Sequence, residues 1–334
     1  MYKSEITGLG MYVPERIVTN DELSQYMDTN DQWIRERTGI EQRRWVTPGD
    51  GNSTSTMAAK ASKIALERAG LTPKDIDMIV FATLSPDYYF PGSGVLLQDL
   101  LDFDNIPALD VRNQCSGFVY ALATADQFIK TGMYKNILVV GSEVQSPGLD
   151  LSTRGRGISV IFGDGAGALV LSRSKGDSEI LSNHLHSQGK YAKELSNLHP
   201  GCNVPPKKLV EDWDPNDFSY YPYMNGNFVF KHAVTRFPEA IMEGLNANNL
   251  TPADIDLLIP HQANLRISQF VQKKLGMKDE QIMNNIQRYG NTTAASIPIA
   301  MTEAWEQGRI KKGDLIVTSA FGSGFTWGSN IIRF

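Results

Sequence analysis

The segment Leu71-Thr72-Pro73-Lys74-Asp75-Ile76-Asp77-Met78-Ile79-Val80 recurs 179 positions later as Leu250-Thr251-Pro252-Ala253-Asp254-Ile255-Asp256-Leu257-Leu258-Ile259, with six identities and only aliphatic exchanges at the last three positions. A second echo, Asn136-Ile137-Leu138-Val139-Val140 against Asp314-Leu315-Ile316-Val317-Thr318, lies at an offset of 178. In both copies a helical stretch, 57–69 or 233–247, runs through the turn into a short apolar strand, and each second echo follows a helix that stops near Gly132 or Gly308. Continuous apolar runs of this kind suit strands buried on both faces between helix layers. Because the offset is about half of the 334 residues, the pattern predicts a duplicated α/β unit, with similar halves at 1–171 and 172–334 packed against each other. Chance recurrence of a common helix-turn-strand segment is the competing reading, and the matching order of the flanking elements weighs against it.

Composition narrows the partners. Thirty-two basic and 37 acidic side chains leave a net charge of -5, which argues against a nucleic-acid surface as the main partner. Cys115 and Cys202 are the only cysteines, too few and too far apart for a disulfide framework or a paired CxxC metal site, so a reducing compartment fits best. The N-terminus lacks an apolar signal-peptide core, and no apolar stretch approaches the roughly 18 residues that crossing a membrane needs. The expectation is a soluble, cytoplasmic protein.

Cys115 precedes apolar residues at 118, 121, 122, 125, 128 and 129, a helical spacing that ends at Gly132. It therefore belongs where an extended segment turns into a helix. Unpaired N–H groups and the positive dipole end there favour a thiolate. A small buried core cysteine is the alternative. His261 directly follows the second repeat's strand and would emerge at a cleft, whereas His199 and Cys202 form a rival pair in a Pro/Gly-rich loop. His184 and His186 share a strand face but lack a third ligand at metal-binding spacing, and His232 reads as a helix-surface residue. Asn291 stands in Gly290-Asn291-Thr292-Thr293-Ala294-Ala295-Ser296-Ile297-Pro298, where glycine, small residues and a helix-starting proline let the backbone pass close to something else, unless this is only a capped loop. Two glycine-rich segments, 162–168 and 321–328, lack the Lys-Ser/Thr ending of a phosphate-binding loop. Close packing at a domain interface, or N–H groups aimed at an oxyanion, explains them better.

With Cys115-Ser116-Gly117-Phe118, Pro260-His261-Gln262-Ala263-Asn264-Leu265-Arg266, Gly290-Asn291-Thr292-Thr293-Ala294-Ala295-Ser296 and Phe162-Gly163-Asp164-Gly165-Ala166-Gly167 in register, the chain resembles β-ketoacyl-[acyl-carrier-protein] synthase III from Tyr2 to Phe334. The resemblance implies a thiolase-like fold, two duplicated α/β halves in a five-layered αβαβα arrangement, and a homodimer. It implies decarboxylative Claisen condensation of an acyl-CoA primer with malonyl-acyl carrier protein, initiating fatty-acid synthesis, with no metal or redox cofactor. Carried over by position, Cys115 is the acylated nucleophile, and His261 and Asn291 hold the second substrate's thioester carbonyl. The backbone N–H groups of Cys115 and Ser323 form an oxyanion hole.

The resemblance further implies that Trp33 stacks on the CoA adenine, that Arg37 and Arg266 meet phosphates, and that Gly226, Lys231 and Asn264 line the pantetheine tunnel. Arg154, in preference to Arg156, would sandwich the adenine. Phe90 would close the acyl pocket, partly across the dimer, with Gly92 and Gly94 leaving room for more than acetyl. Arg266, Lys273 and Lys274 would dock an acidic carrier protein. Arg112, Asn113 and Gln114 replace the small residues usual before the nucleophile, and Ser323 replaces a glycine. Similar segments occur in ketosynthase-III-like enzymes of specialised metabolism, so a longer acyl or an aromatic primer is the alternative, followed by a Cys-dependent thioesterase.

Overall fold

The computed structural model describes residues 1–199, 201, 214 and 217–334. Its first half holds strands β1 (Ser4–Tyr12), β2 (Met78–Ala82), β3 (Ala108–Val111), β4 (Asn136–Glu143) and β5 (Gly165–Arg173). Helices α1 (Asp31–Thr38), α2 (Thr54–Ala69), α3 (Ser93–Leu100) and α4 (Gly117–Lys130) accompany them. The second half contributes β6 (Glu179–Ser187), β7 (Leu257–Pro260), β8 (Leu315–Gly322) and β9 (Thr326–Arg333), with α5 (Gly226–Ala247), α6 (Leu265–Leu275) and α7 (Ser296–Glu306). The expected division after residue 171 falls two residues inside the end of β5.

The two repeats end up as neighbouring parallel strands in each half, β2 beside β4 and β7 beside β8. The sheets run β1-β5-β4-β2-β3 and β6-β9-β8-β7 in the same sense, with β5 and β9 each antiparallel to both neighbours and the remaining pairs parallel. A fifth position in the second sheet shrinks to one parallel bridge between Leu258 and Ile282. The repeated turn explains its own sequence. Thr72 and Thr251 each donate both N–H and hydroxyl to the aspartate three residues on, Asp75 or Asp254. The second repeated aspartate then ties the strands together: Asp77 accepts from the amides of Lys135 and Asn136, and Asp256 from that of Leu315.

Strand residues alternate between two cores. Ile79 and Phe81 face α2, whereas Met78, Val80 and Ala82 face Phe118, Leu122 and Ile129 of α4 and Ile297 and Met301 of α7. In the second sheet Leu257 and Ile259 join that same central core, while Leu258 and Val317 pack with Phe237 and Ile241 of α5 and Val271 of α6. The result is five layers: outer helices, sheet, α4 and α7, sheet, outer helices. Strands between helix layers are buried on both faces, which is why their sequences are continuously apolar. The middle layer matters most for chemistry, because both of its helices start at the seam between the halves.

Candidate active site

Cys115 sits in a short 3-10 turn, Gln114–Ser116, that runs directly into α4. The turn is anchored to the other half by the Ser116 and Thr326 hydroxyls, 2.7 Å apart. In the segment leading into α7, Asn291 is stitched to the first half: its N–H donates to the Ile161 carbonyl at 2.7 Å, and its own carbonyl accepts from the Gly163 N–H at 3.1 Å. The Asn291 side-chain oxygen accepts from the Thr293 amide at 2.8 Å, which leaves the amide nitrogen as the group offered outward. His261 follows β7, held by its N–H to the Ser319 carbonyl and by Nδ1 against the Ser296 hydroxyl at 2.6 Å. Its Nε2 is buried without a hydrogen-bond partner. Cys115, His261 and Asn291 all line one cavity of about 760 Å³.

The electrostatics correct one expectation. Burial pushes the Cys115 thiol up to about 12, and nearby Glu143 adds to the rise, while the N–H groups of Cys115 and Ser323 pull the other way. Desolvation of a residue that is only 8 % exposed thus outweighs those two N–H groups, and the resting group is a thiol rather than the expected thiolate. Burial also lowers His261 to about 3, so its imidazole is neutral. Glu143 is fully buried and raised by that burial, but it accepts from the amides of Leu84, Ser85 and Ala294 and from the Ser85 hydroxyl. It binds one cavity wall to the Asn291 loop.

Trp33, Arg37, Gly226, Asn264 and Arg266 lie on the same cavity wall. Arg37 packs over the Trp33 ring at 4.4 Å, and Asn264 both donates to the Arg37 carbonyl and caps α6. Arg156, not Arg154, lies over Trp33, at 4.9 Å. Arg154 is drawn away by Asp150, at 2.5 Å, and covers Tyr221 instead. Lys231 is exposed and lies outside the lining, on the solvent side of α5. Lys273 and Lys274 are exposed at the end of α6.

Phe90 is 80 % exposed and does not line the cavity of the single chain; Tyr88 and Tyr89 do. Nor do Gly92 and Gly94 widen it. A side chain at either would strike the Asp110 carboxylate, which accepts the Ser93 and Gly94 amides at the start of α3. These glycines exist so that Asp110 can cap that helix. In the first glycine-rich segment Gly167 packs tightly on Pro298 of α7, and in the second the Ser323 N–H faces the Cys115 sulfur.

The rival histidines separate. His184 and His186 both reach Glu243 of α5, at 3.3 and 2.6 Å, a partner their spacing could not reveal. Among the described residues no three His, Cys, Asp or Glu side chains are arranged to hold a metal ion. His232, expected on the surface, is half-buried among Tyr191, Phe228 and Phe325. His199 stacks on Tyr220, and Cys202 lies outside the described residues. Sequence reasoning missed Glu143 and Ser296 as parts of the site and ranked Arg156 behind Arg154. For Ser296 the signal was present, five residues after Asn291, but pointed only to a helix start.

No helix among the described residues is long and apolar enough to cross a membrane. Residues 109–189 match the family model of 3-oxoacyl-[acyl-carrier-protein] synthase III, and residues 245–334 match the model of its C-terminal part. The chain is 44% identical over 331 residues to the β-ketoacyl-[acyl-carrier-protein] synthase III of Aliivibrio fischeri, covering 99% of each. It superposes on the solved 3-oxoacyl-[acyl-carrier-protein] synthase III of Aquifex aeolicus with a TM-score of 0.90, at 40% identity, covering 99% of this chain and 100% of that one. The priming β-ketosynthase of the R1128 polyketide pathway is similar at 31% identity and a TM-score of 0.89, over 99% of this chain and 96% of that one.

Proposed function

The chain belongs to the β-ketoacyl-[acyl-carrier-protein] synthase III family, condensing acyltransferases that start fatty-acid chains, and from that premise we propose how its residues divide the reaction. Cys115 Sγ attacks the thioester carbon of an acyl-CoA. The acyl C–S bond to CoA breaks, CoA leaves with the proton that Cys115 loses, and an acyl-Cys115 remains. The N–H groups of Cys115 and Ser323 receive the transient oxyanion.

Malonyl-acyl carrier protein then loses CO2. The electron pair of the broken C–C bond moves to the thioester as an enolate, whose oxygen accepts from His261 Nε2–H and Asn291 Nδ2–H. Two neutral donors suit this charge because neither has to lose or gain a proton. As the carbonyl re-forms, the carbon attacks acyl-Cys115, and the sulfur leaves β-ketoacyl-acyl carrier protein. The C–C bond that breaks as carbon dioxide departs supplies the electron pair, so the balance calls for no redox cofactor, and the two neutral donors polarise the oxygen.

The observation that carries this reading is the single cavity joining the sulfur of one half to the unpartnered His261 Nε2 and the Asn291 side chain of the other. Trp33, Arg37 and Arg156 are assigned to CoA, and Arg266, Lys273 and Lys274 to the carrier protein. A second copy of the chain is assigned to the exposed aromatic patch of Tyr88, Tyr89 and Phe90, which are 60%, 69% and 80% exposed. A cytoplasmic setting belongs to the same reading, since the chemistry needs a reduced thiol. Intact-mass spectrometry tests it. Acyl-CoA should add one acyl group at Cys115, and malonyl-carrier protein should discharge it as β-ketoacyl product; acylation at Cys202, or release as free acid, would overturn it.

The primer has a second reading. Arg112, Gln114 and Gln145 put a guanidinium and two carboxamides on the cavity lining, and the R1128 relative is named as a polyketide priming enzyme. The chemistry would be the same with a primer other than acetyl, and rates across a panel of acyl-CoAs of increasing length decide between them.

A further inference from the structure

We propose that Ser296 is a positioning residue that fixes His261 as the Nε2–H tautomer, so that the imidazole presents a donor rather than a lone pair to the reacting thioester. The inference rests on the functional reading of His261 above and adds to it the group that sets the ring's chemistry.

It follows from counting hydrogens. The Ser296 oxygen receives the Gln262 N–H at 3.3 Å and lies 2.6 Å from His261 Nδ1. One lone pair of that oxygen is therefore committed to an N–H. If Nδ1 also carried a hydrogen, the Ser296 oxygen would accept twice, and its own hydrogen would point at no acceptor inside a residue only 2 % exposed. An unsatisfied buried hydroxyl is costly, whereas donating to a bare Nδ1 satisfies both groups. The remaining ring hydrogen must then sit on Nε2, the one buried ring atom without a partner, in a ring that lines the cavity. The tautomer of a neutral imidazole is set by the bond its other nitrogen makes.

The surroundings hold this arrangement rigid. Gln262 is locked in turn: its side-chain nitrogen donates to the Pro260 and Met283 carbonyls, and its oxygen accepts from the Asn285 and Ile286 amides. Its backbone N–H thus cannot drift from Ser296 without breaking that network. Ser296 is also the first residue of α7, only five positions after Asn291. One short segment therefore supplies one enolate donor directly and orients the other.

The consequence is a division of labour. An imidazole fixed with hydrogen on Nε2 has no lone pair there to take the Cys115 proton. It can serve the malonyl half-reaction and not the activation of the thiol.

Nitrogen-15 NMR of histidine-labelled full-length protein tests the tautomer without a mutation at Ser296. His261, assigned through its loss in His261→Asn, should show a pyridine-type Nδ1 and a pyrrole-type Nε2; the reverse pattern would overturn the proposal. In Ser296→Ala the tautomer signature should become mixed. Malonyl-carrier-protein decarboxylation should fall about tenfold, short of the roughly 10²–10³ that loss of an oxyanion donor costs, while the rate of Cys115 acylation by acyl-CoA stays unchanged. Unchanged decarboxylation in Ser296→Ala, with His261→Ala still defective, sinks the role of Ser296 alone. Full decarboxylation in His261→Ala sinks the functional reading beneath it.

Discussion

Gly322 of β8 lies directly against Cys115: a Cβ built on the glycine would stand 2.7 Å from the cysteine Cβ and 3.1 Å from its amide nitrogen. The second half of the chain therefore shapes the seat of the nucleophile that the first half carries. Only a hydrogen fits at 322, because the adjoining Ser323 must bring its N–H to the sulfur.

Gly322→Ala should accordingly push Cys115 away from the Ser323 N–H. We expect the acylation rate to fall at least about a hundredfold, as loss of an oxyanion donor does. The fold should lose about 1–3 kcal/mol, as overpacked cores do. Stopped-flow acylation and urea melts of the same preparation measure both, and an alanine variant with normal acylation would contradict the close packing.

The raised thiol predicts how the free enzyme meets alkylating agents. Its iodoacetamide inactivation rate should climb with pH without a plateau below about pH 10, since the thiolate is the reacting form. A plateau near neutrality would show that the helix terminus prevails over burial after all.

Two linked stability effects have opposite signs. The Cys115 proton is held more tightly in the folded state than at its ordinary value of 9.0, so that contribution is complete below pH 9 and is lost as pH rises toward 12. His261 resists protonation when folded, so its contribution is present above pH 6.5 and is lost as pH falls toward 3. Comparing thermal melts of wild type and His261→Gln from pH 7 to pH 4 should show a flatter acid limb for the variant.

Arg156 and Arg154 can be told apart by substitution. Arg156→Ala removes the cation over Trp33 and should raise KM for acyl-CoA about three- to tenfold with kcat little changed, consistent with a stacking contribution of about 0.5–2 kcal/mol. Arg154→Ala should leave KM alone and lower the melting temperature slightly, because Asp150 and Tyr221 hold its guanidinium away from Trp33. An effect on KM at Arg154 only would restore the original expectation.

The duplicated turn permits an internal control. Asp77 accepts two amides and Asp256 accepts one, so Asp77→Ala should destabilise the protein by about 1–2 kcal/mol more than Asp256→Ala. Equal losses in denaturant melts would mean that the two turns bear equal strain despite their unequal bonding.

Much of this arrangement was legible in the chain itself because it depends on neighbours in sequence. Apolar runs, the Thr-x-x-Asp turn and a cysteine ahead of a helical stripe are local patterns, and they announced β2, β4, β7, β8 and α4 with little ambiguity. What stayed hidden depends on groups far apart in sequence. Glu243 lies 57 positions beyond His186, and Ser296 lies 35 beyond His261, so no spacing rule could pair them. Gly92 and Gly94 misled for the same reason, since the carboxylate they admit belongs to Asp110 in another element.

The sequence by itself determined that the chain is a doubled α/β unit with one cysteine at a helix start, because repeat period and capping chemistry are written within a few residues of one another. Tertiary structure alone decided that the sulfur rests protonated, that Arg156 rather than Arg154 covers Trp33, and that His261 leans on Ser296. Each of these turns on how much water folding removes and on which distant side chains it presses together.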